Sequence, residues 1–337
     1  MKNFVNISAS EEKPRFIDLS SVTAIHVQPE KGELTIFNEK GVLLYLNAKA
    51  SSIDTDVLLQ KLSDAGNPLV ALPARYDDKE YPHFVSPKAV TFATVTEVTK
   101  DGTQGVIVGV KGLGWEENNK TKPEELAALL DAVRATGATL LEFKPEEAHA
   151  RWYNAAALYI NPAAVREIRE DGTQVNVYFA ASGSLDVQTN DHTYQRDRVS
   201  EILNDLLGEK DPTASDLRAL GREAQRLAKE EETAARVNFA AKLAAAAGTL
   251  TQVQTNGRAV YVKPEEFVSV SFYNDDRAET SAAFKFSMSL ERQKSADNPY
   301  PEAVRVFFNS AAEREKSFQA LVSPAAPVKR NGSALKP

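Results

Sequence analysis

Cysteine is absent from the 337-residue chain. Disulfides, thiolate-ligated zinc, iron–sulfur clusters and thiol catalysis are therefore excluded, and the expected compartment is the cytoplasm. Glycine and proline number only 16 each and 42% of residues are hydrophobic, so the chain has the apolar content to close a core. Its length predicts two or more cooperative units. No stretch approaches the 18 uncharged apolar residues of a membrane span, and none is expected. The segment from Met1 to Phe16 has no apolar run and reaches acidic residues at Glu11, so no secretory peptide is expected. Taking 40 basic from 47 acidic residues leaves a net charge of −7, spread along the chain rather than blocked. That balance disfavours indiscriminate phosphate binding.

What is present is a recurring phrase: aromatic, aliphatic, polar, then Pro or Leu, two further residues and a hydrophobe. It reads Phe16-Ile17-Asp18-Leu19 up to Val22, Phe84-Val85-Ser86-Pro87 up to Val90, Tyr159-Ile160-Asn161-Pro162 up to Val165, and Tyr261-Val262-Lys263-Pro264 up to Phe267. Proline lacks an N–H and fixes φ, so it suits a break between a short extended segment and the next strand. The second and third copies share a turn: Asp101-Gly102 and Asp171-Gly172 each stand before alternating hydrophobes, a hairpin signal. A strand precedes each phrase, two strands follow it, and a 3.6-period helix closes each copy over Asp54–Leu62, Pro123–Val133, Arg196–Leu207 and Ala311–Leu321.

The expected fold is α+β, with four tandem ββββα repeats, antiparallel sheets and a helical insertion before the last repeat. The boundaries read 1–66, 67–137 and 138–210 for the first three repeats, 211–248 for the insertion, 249–322 for the fourth repeat and 323–337 for a flexible basic tail. The insertion follows from spacing: Pro87 and Pro162 are 75 residues apart, Pro162 and Pro264 are 102 apart. Asp211-Pro212 reads as its cap, and Leu217, Leu220, Ala224 and Leu227 recur at helical spacing. One helix of about 50 Å or a hairpin bent near Gly221 would both fit. In topology only, ββββα repeats resemble the Whirly and Pur-type single-strand-binding proteins, although the signature residues of those families are missing here.

Reactive chemistry has few residues to stand on. His26, His83, His149 and His192 are far apart and none has a ligand partner at helical spacing. The glycines of Gly109-Val110-Lys111-Gly112-Leu113-Gly114 follow neither phosphate-loop order, and read as a turn between strands. Adjacent carboxylates such as Glu116-Glu117 and Glu265-Glu266 point to opposite faces if they lie on strands. No Gly-x-Ser-x-Gly elbow occurs. The chain is read as non-enzymatic, without cofactor or metal.

What remains is surface. A sheet covered on one face by a helix leaves the other to bind something, and aromatic strands with nearby cations hold single strands by stacking bases and tracking phosphate. The candidates for single-stranded nucleic-acid binding are Tyr178, Phe179, Tyr273, Phe308, Arg166, Arg169 and Arg305. Phe284 and Phe286 share a face and are assigned to the core. The alternative is a protein–protein assembly or structural scaffold, a viral particle among its settings, with the free faces and the long helix contacting partners or further copies of the chain.

Overall fold

The computed structural model describes residues 4–6, 16–28, 32–47, 55–76, 79–144, 155–170, 174–180, 183–188, 192–208, 213–255, 258–275, 285–292 and 303–323. The fold is α+β, with antiparallel sheets and helices in alternation. It divides into two compact units, residues 1–166 with 170–247 and residues 167–169 with 248–337.

The chain opens with β1 (Phe4–Asn6), β2 (Phe16–Asp18), a 3₁₀ turn (Leu19–Ser21), β3 (Val22–Gln28), β4 (Glu33–Asn38), β5 (Gly41–Asn47) and α1 (Thr55–Asp64). The same order follows in β6 (Val70–Tyr76), β7 (Lys79–Val85), a turn at Pro87–Ala89, β8 (Val90–Thr96), β9 (Gln104–Val110), β10 (Gly114–Thr121) and α2 (Pro123–Ala135). Next come β11 (Leu141–Phe143), β12 (Ala155–Ile160), a turn at Pro162–Ala164, β13 (Val165–Glu170), β14 (Gln174–Phe179), β15 (Gly183–Gln188) and α3 (His192–Leu207). After α4 (Ala214–Ala247) the second unit runs β16 (Thr251–Thr255), β17 (Arg258–Val262), a turn at Pro264–Glu266, β18 (Phe267–Asp275), β19 (Lys285–Arg292), β20 (Ala303–Phe308) and α5 (Ala311–Val322).

The recurring phrase is thus two strands joined by a single 3₁₀ turn. Its chemistry is local: Asp18 and Asn161 side chains accept from the N–H two residues on, at 3.1 Å each, while proline opens the other turns and supplies the φ they need. A β-bulge follows at the same step, between Val22 and Ala24, Val90 and Phe92, and Phe267 and Ser269.

The pairing of the strands before each turn could not be read from the phrase. The first unit holds sheets of order β5-β4-β3-β7-β6 and β10-β9-β8-β12-β11, so β6–β7 and β11–β12 each join the sheet of the strands before them. In the second unit β16–β17 pair with residues 167–169 in the same way, and a separate three-stranded sheet has order β18-β19-β20. A short sheet of β1 and β2 stands at the other end of the sequence.

In the first unit, Leu34 and Ile36 alternate inward from β4 and are covered by Leu58 and Leu62 of α1. Val90, Val106, Val108 and Val110 are covered by Leu126, Leu129, Leu130 and Val133 of α2, each fully buried aliphatic side chain contributing about 1.5–3 kcal/mol. At the start of α2 the backbone N–H of Lys122 donates to Glu125 at 2.9 Å. In the second unit, Val253, Val262, Met288, Leu290, Val304, Val306 and Phe308 form one core, against which Phe318 and Leu321 of α5 pack.

The insertion is one continuous helix of 34 residues, about 50 Å at 1.5 Å per residue, with no break at Gly221. Asp211-Pro212 lies outside the described residues. The observed cap is Thr213, whose hydroxyl and N–H both donate to Asp216. On the buried side, Arg236 donates to Glu170 at 2.9 Å and Phe239 meets the edge of Phe143 at 4.6 Å. The tail from residue 324 onward and the Asp171-Gly172 turn lie outside the described residues. The Asp101-Gly102 turn is a hairpin end, with Gly102 at φ 79° and the N–H of Thr99 donating to the carbonyl of Thr103 at 2.7 Å.

Candidate functional site

The open face of β18–β19–β20 gathers the residues with the most binding potential. Alternation along β20 turns Val304, Val306 and Phe308 into the core and leaves Ala303, Arg305 and Phe307 outward. The register then sets Tyr273 and Phe307 on either side of Ser287, and Arg305 opposite Ser289. The Arg305 guanidinium lies 5.7 Å from the Tyr273 ring and 5.4 Å from the Phe307 ring, with Nε 3.4 Å from Ser287 Oγ. Tyr273 is 47% and Phe307 37% exposed, so both rings offer surface to a ligand. Such cation–π contacts contribute about 0.5–1 kcal/mol at exposed sites, enough to orient the guanidinium without hiding it. Ser269 donates to Glu291 at 2.9 Å on the same sheet, so one carboxylate stands among these groups. Among the described side chains the face carries the Tyr273 and Phe307 rings, the Arg305 guanidinium and the Glu291 carboxylate, a set that can stack planar groups and attract an anion.

Of the residues proposed from sequence, Tyr273 and Arg305 come together here. Phe179 and Phe308 do not face a ligand, and their assignment is corrected. Phe308 is 0% exposed among Met288, Leu290 and Val306, and Phe179 is 4% exposed with its ring stacked on Phe92 at 5.2 Å. Parity carried the signal: Phe179 shares the inward register of Val175 and Val177, whereas Phe307 shares the outward register of Arg305. Tyr178 and Arg166 are half-buried in the first unit. Arg169 is bound to Glu167 in the second.

The structure also brings together two histidines that lie 57 positions apart in sequence. His26 and His83 are cross-strand partners on β3 and β7, and their rings stack at 3.8 Å and 9°. His149 lies outside the described residues and His192 begins α3. Among the described residues no three His, Asp or Glu side chains converge in a way that could hold a metal ion. A polar hollow of about 420 Å³ lies beside the first two 3₁₀ turns, lined by Ser20, Ser21, Asn67, Ser86, Lys40 and Lys88 among others. Its buried Asn67 is fully engaged, donating to the carbonyls of Leu19 and Val22 and accepting from Ser86. It therefore ties the turn of one segment to the strand of the next rather than facing a ligand.

The Gly109–Gly114 run is a strand end and a tight turn. Gly109 pairs with Phe92 inside the sheet, Gly112 takes φ of 78° between β9 and β10, and Gly114 opens β10 at φ 95°. No helix among the described residues is long and apolar enough to cross a membrane. No protein family, curated protein or solved structure matches this chain.

Proposed function

We propose that the chain is a non-enzymatic scaffold of the cytoplasm, made of four copies of one module, over 1–66, 67–137, 138–210 and 249–322, with the long helix inserted before the last. Several features support the fourfold reading. The order of elements recurs, and the residue entering each 3₁₀ turn takes nearly the same backbone conformation: −83°/105° at Asp18, −74°/122° at Ser86, −84°/103° at Asn161 and −86°/109° at Lys263. The β-bulge recurs at the same step in the first, second and fourth copies.

The observation that carries the scaffold reading is how modules adhere. Two strands of the second copy and two of the third add to the sheet of the copy before, and in the second unit β17 pairs with residues 167–169 in the same way, so cohesion comes from main-chain pairing plus a buried apolar face, with no reactive side chain needed. Size-exclusion chromatography with light scattering tests it. A discrete oligomer is expected, and a chain that stays monomeric at every concentration discards the reading.

A second reading rests on the Tyr273–Arg305–Phe307 cluster, which matches the stacking-plus-cation chemistry of single-strand binding. Titration of fluorescent single-stranded DNA at low and moderate salt tests it. Tyr273→Ala and Arg305→Ala should each weaken binding, about 1–3 kcal/mol for the lost ring. The absence of binding at low salt ends this second reading.

A further inference from the structure

The three internal junctions share one register. The residue three positions past the 3₁₀ turn pairs with the residue two before the proline: Ala24 with Val85, Phe92 with Ile160, Glu167 with Val262. The next pair is an aliphatic residue opposite an aromatic one: Ile25 with Phe84, Ala93 with Tyr159, Ile168 with Tyr261. Beside them the residue just before the proline donates its N–H to the strand it joins, Ser86 to the Thr23 carbonyl at 2.8 Å and Asn161 to that of Thr91 at 2.9 Å.

The two ends of the chain hold what such a junction lacks. β18 has β19 on one side and, among the described residues, no strand on the other, while β1–β2 form a two-stranded sheet. Three strands with an open edge and a two-stranded sheet are the two parts from which each five-stranded sheet of the first unit is built. Exposure agrees: Thr23 and Thr91 are 4% and 0% exposed under their added strands, whereas Val268, at the same step of β18, is 61% exposed. Phe16, on β2, is 60% exposed. β1 and β2 already keep the internal register between themselves, Val5 opposite Ile17 as Val70 is opposite Val85. An open apolar strand edge is a template for another strand.

We propose that β2 of a second copy of the chain adds antiparallel to the open edge of β18. Ser269 then faces Ile17 of the second copy, Val270 faces its Phe16, and the N–H of its Asp18 donates to the Val268 carbonyl. Val270 opposite Phe16 repeats the aliphatic–aromatic pair of the internal junctions. The contact is head to tail, so copies add in series and form a ring if the rotation closes or a filament if it does not. The inference deepens the scaffold reading and rests on it.

The cysteine-free chain permits a direct test. Full-length Phe16→Cys and Val270→Cys variants, each shown by circular dichroism to fold, are mixed in equal amounts and oxidised. Directly opposed Cβ atoms about 4.5–5.5 Å apart come within reach of a disulfide. The expected product is a mixed dimer whose peptide map joins the two introduced thiols, at least about tenfold over either like-with-like dimer; the ratio reflects the register. Ser269→Cys, pointing to the other sheet face, should not substitute for Val270→Cys. As a cysteine-independent measurement, Phe16→Asp should shift the wild-type oligomer to monomer in sedimentation. Like-with-like dimers in equal yield, or a doubly substituted chain that cross-links only within itself, would overturn the proposal. An oligomer that survives Phe16→Asp also overturns it and leaves the scaffold reading standing, whereas a wild-type chain that is always monomeric ends both.

Discussion

Arg292 and Glu167, 125 residues apart, meet in the second unit as an ion pair with side chains 2% and 0% exposed. Arg169 also binds Glu167, and Glu266 lies 3.5 Å from Arg292 Nε, so two guanidinium and two carboxylate groups neutralise one another. Burying such a set costs desolvation, but removing one partner costs more because a charge is then left in low dielectric. Glu167→Ala should therefore destabilise the chain by about 3–5 kcal/mol, and the Glu167→Gln/Arg292→Met double variant by clearly less. Urea unfolding of the full chain measures both; a Glu167→Ala loss under about 1 kcal/mol would show the pair to be idle.

Gly109 is required for shape. A Cβ there would stand 2.2 Å from Cε1 of Phe92, a side chain only 1% exposed and stacked on Phe179. Gly109→Ala should cost about 1–3 kcal/mol through overpacking. Adding Phe92→Leu should recover part of that loss, because the clash is with the ring; strict additivity of the two changes would refute this account.

Phe239 anchors the long helix to the first unit's core. It is 1% exposed and meets Phe143 edge-on. Phe239→Ala should lower stability by about 3–5 kcal/mol. Val237→Ala, two residues away on the opposite side of the helix and 41% exposed, should leave the thermal midpoint almost unchanged.

The start of the long helix should be sensitive to acid. Hydrogen bonds from the Thr213 hydroxyl, and then from its N–H, hold the Asp216 carboxyl below the ordinary value of 3.8. A carboxylate lowered in the folded state contributes stability above its unfolded pKa, and that contribution is lost as pH falls through the folded one. Helical circular dichroism followed downward from neutral pH should show a fraying step below the usual aspartate range. The step should be absent in Asp216→Asn, which lacks the titrating group; an identical acid profile in both proteins would count against this cap.

Much of the local structure was legible from residue order. Pro87, Pro162 and Pro264 marked the breaks because proline fixes φ and suits the start of a 3₁₀ turn, and Asp101-Gly102 marked a hairpin because glycine accepts positive φ. Helix periodicity placed the helices among the described residues to within about four residues. Part of the candidate site was legible too, since Tyr273 and Arg305 were picked out, yet the adjacent pairs were ambiguous. Alternation says that Phe307 and Phe308 face opposite sides; which side is the core depends on where α5 packs.

Partnership between strands not joined by a hairpin turn was not legible. A period-2 pattern encodes which face is buried but not which neighbour supplies the ladder, so nothing in Phe84-Val85 announces that β7 will add to β3. The stacked histidines and the Glu167–Arg292 pair follow from that same long-range choice. Chain order and side-chain chemistry alone settled the turns, the helices and the exclusion of thiol chemistry, because those depend on dihedral preferences and composition within a few residues. Sheet membership, inward-facing rings and the open edge at Val268 were settled only on folding, because they arise from hydrogen bonds between segments that no local preference connects.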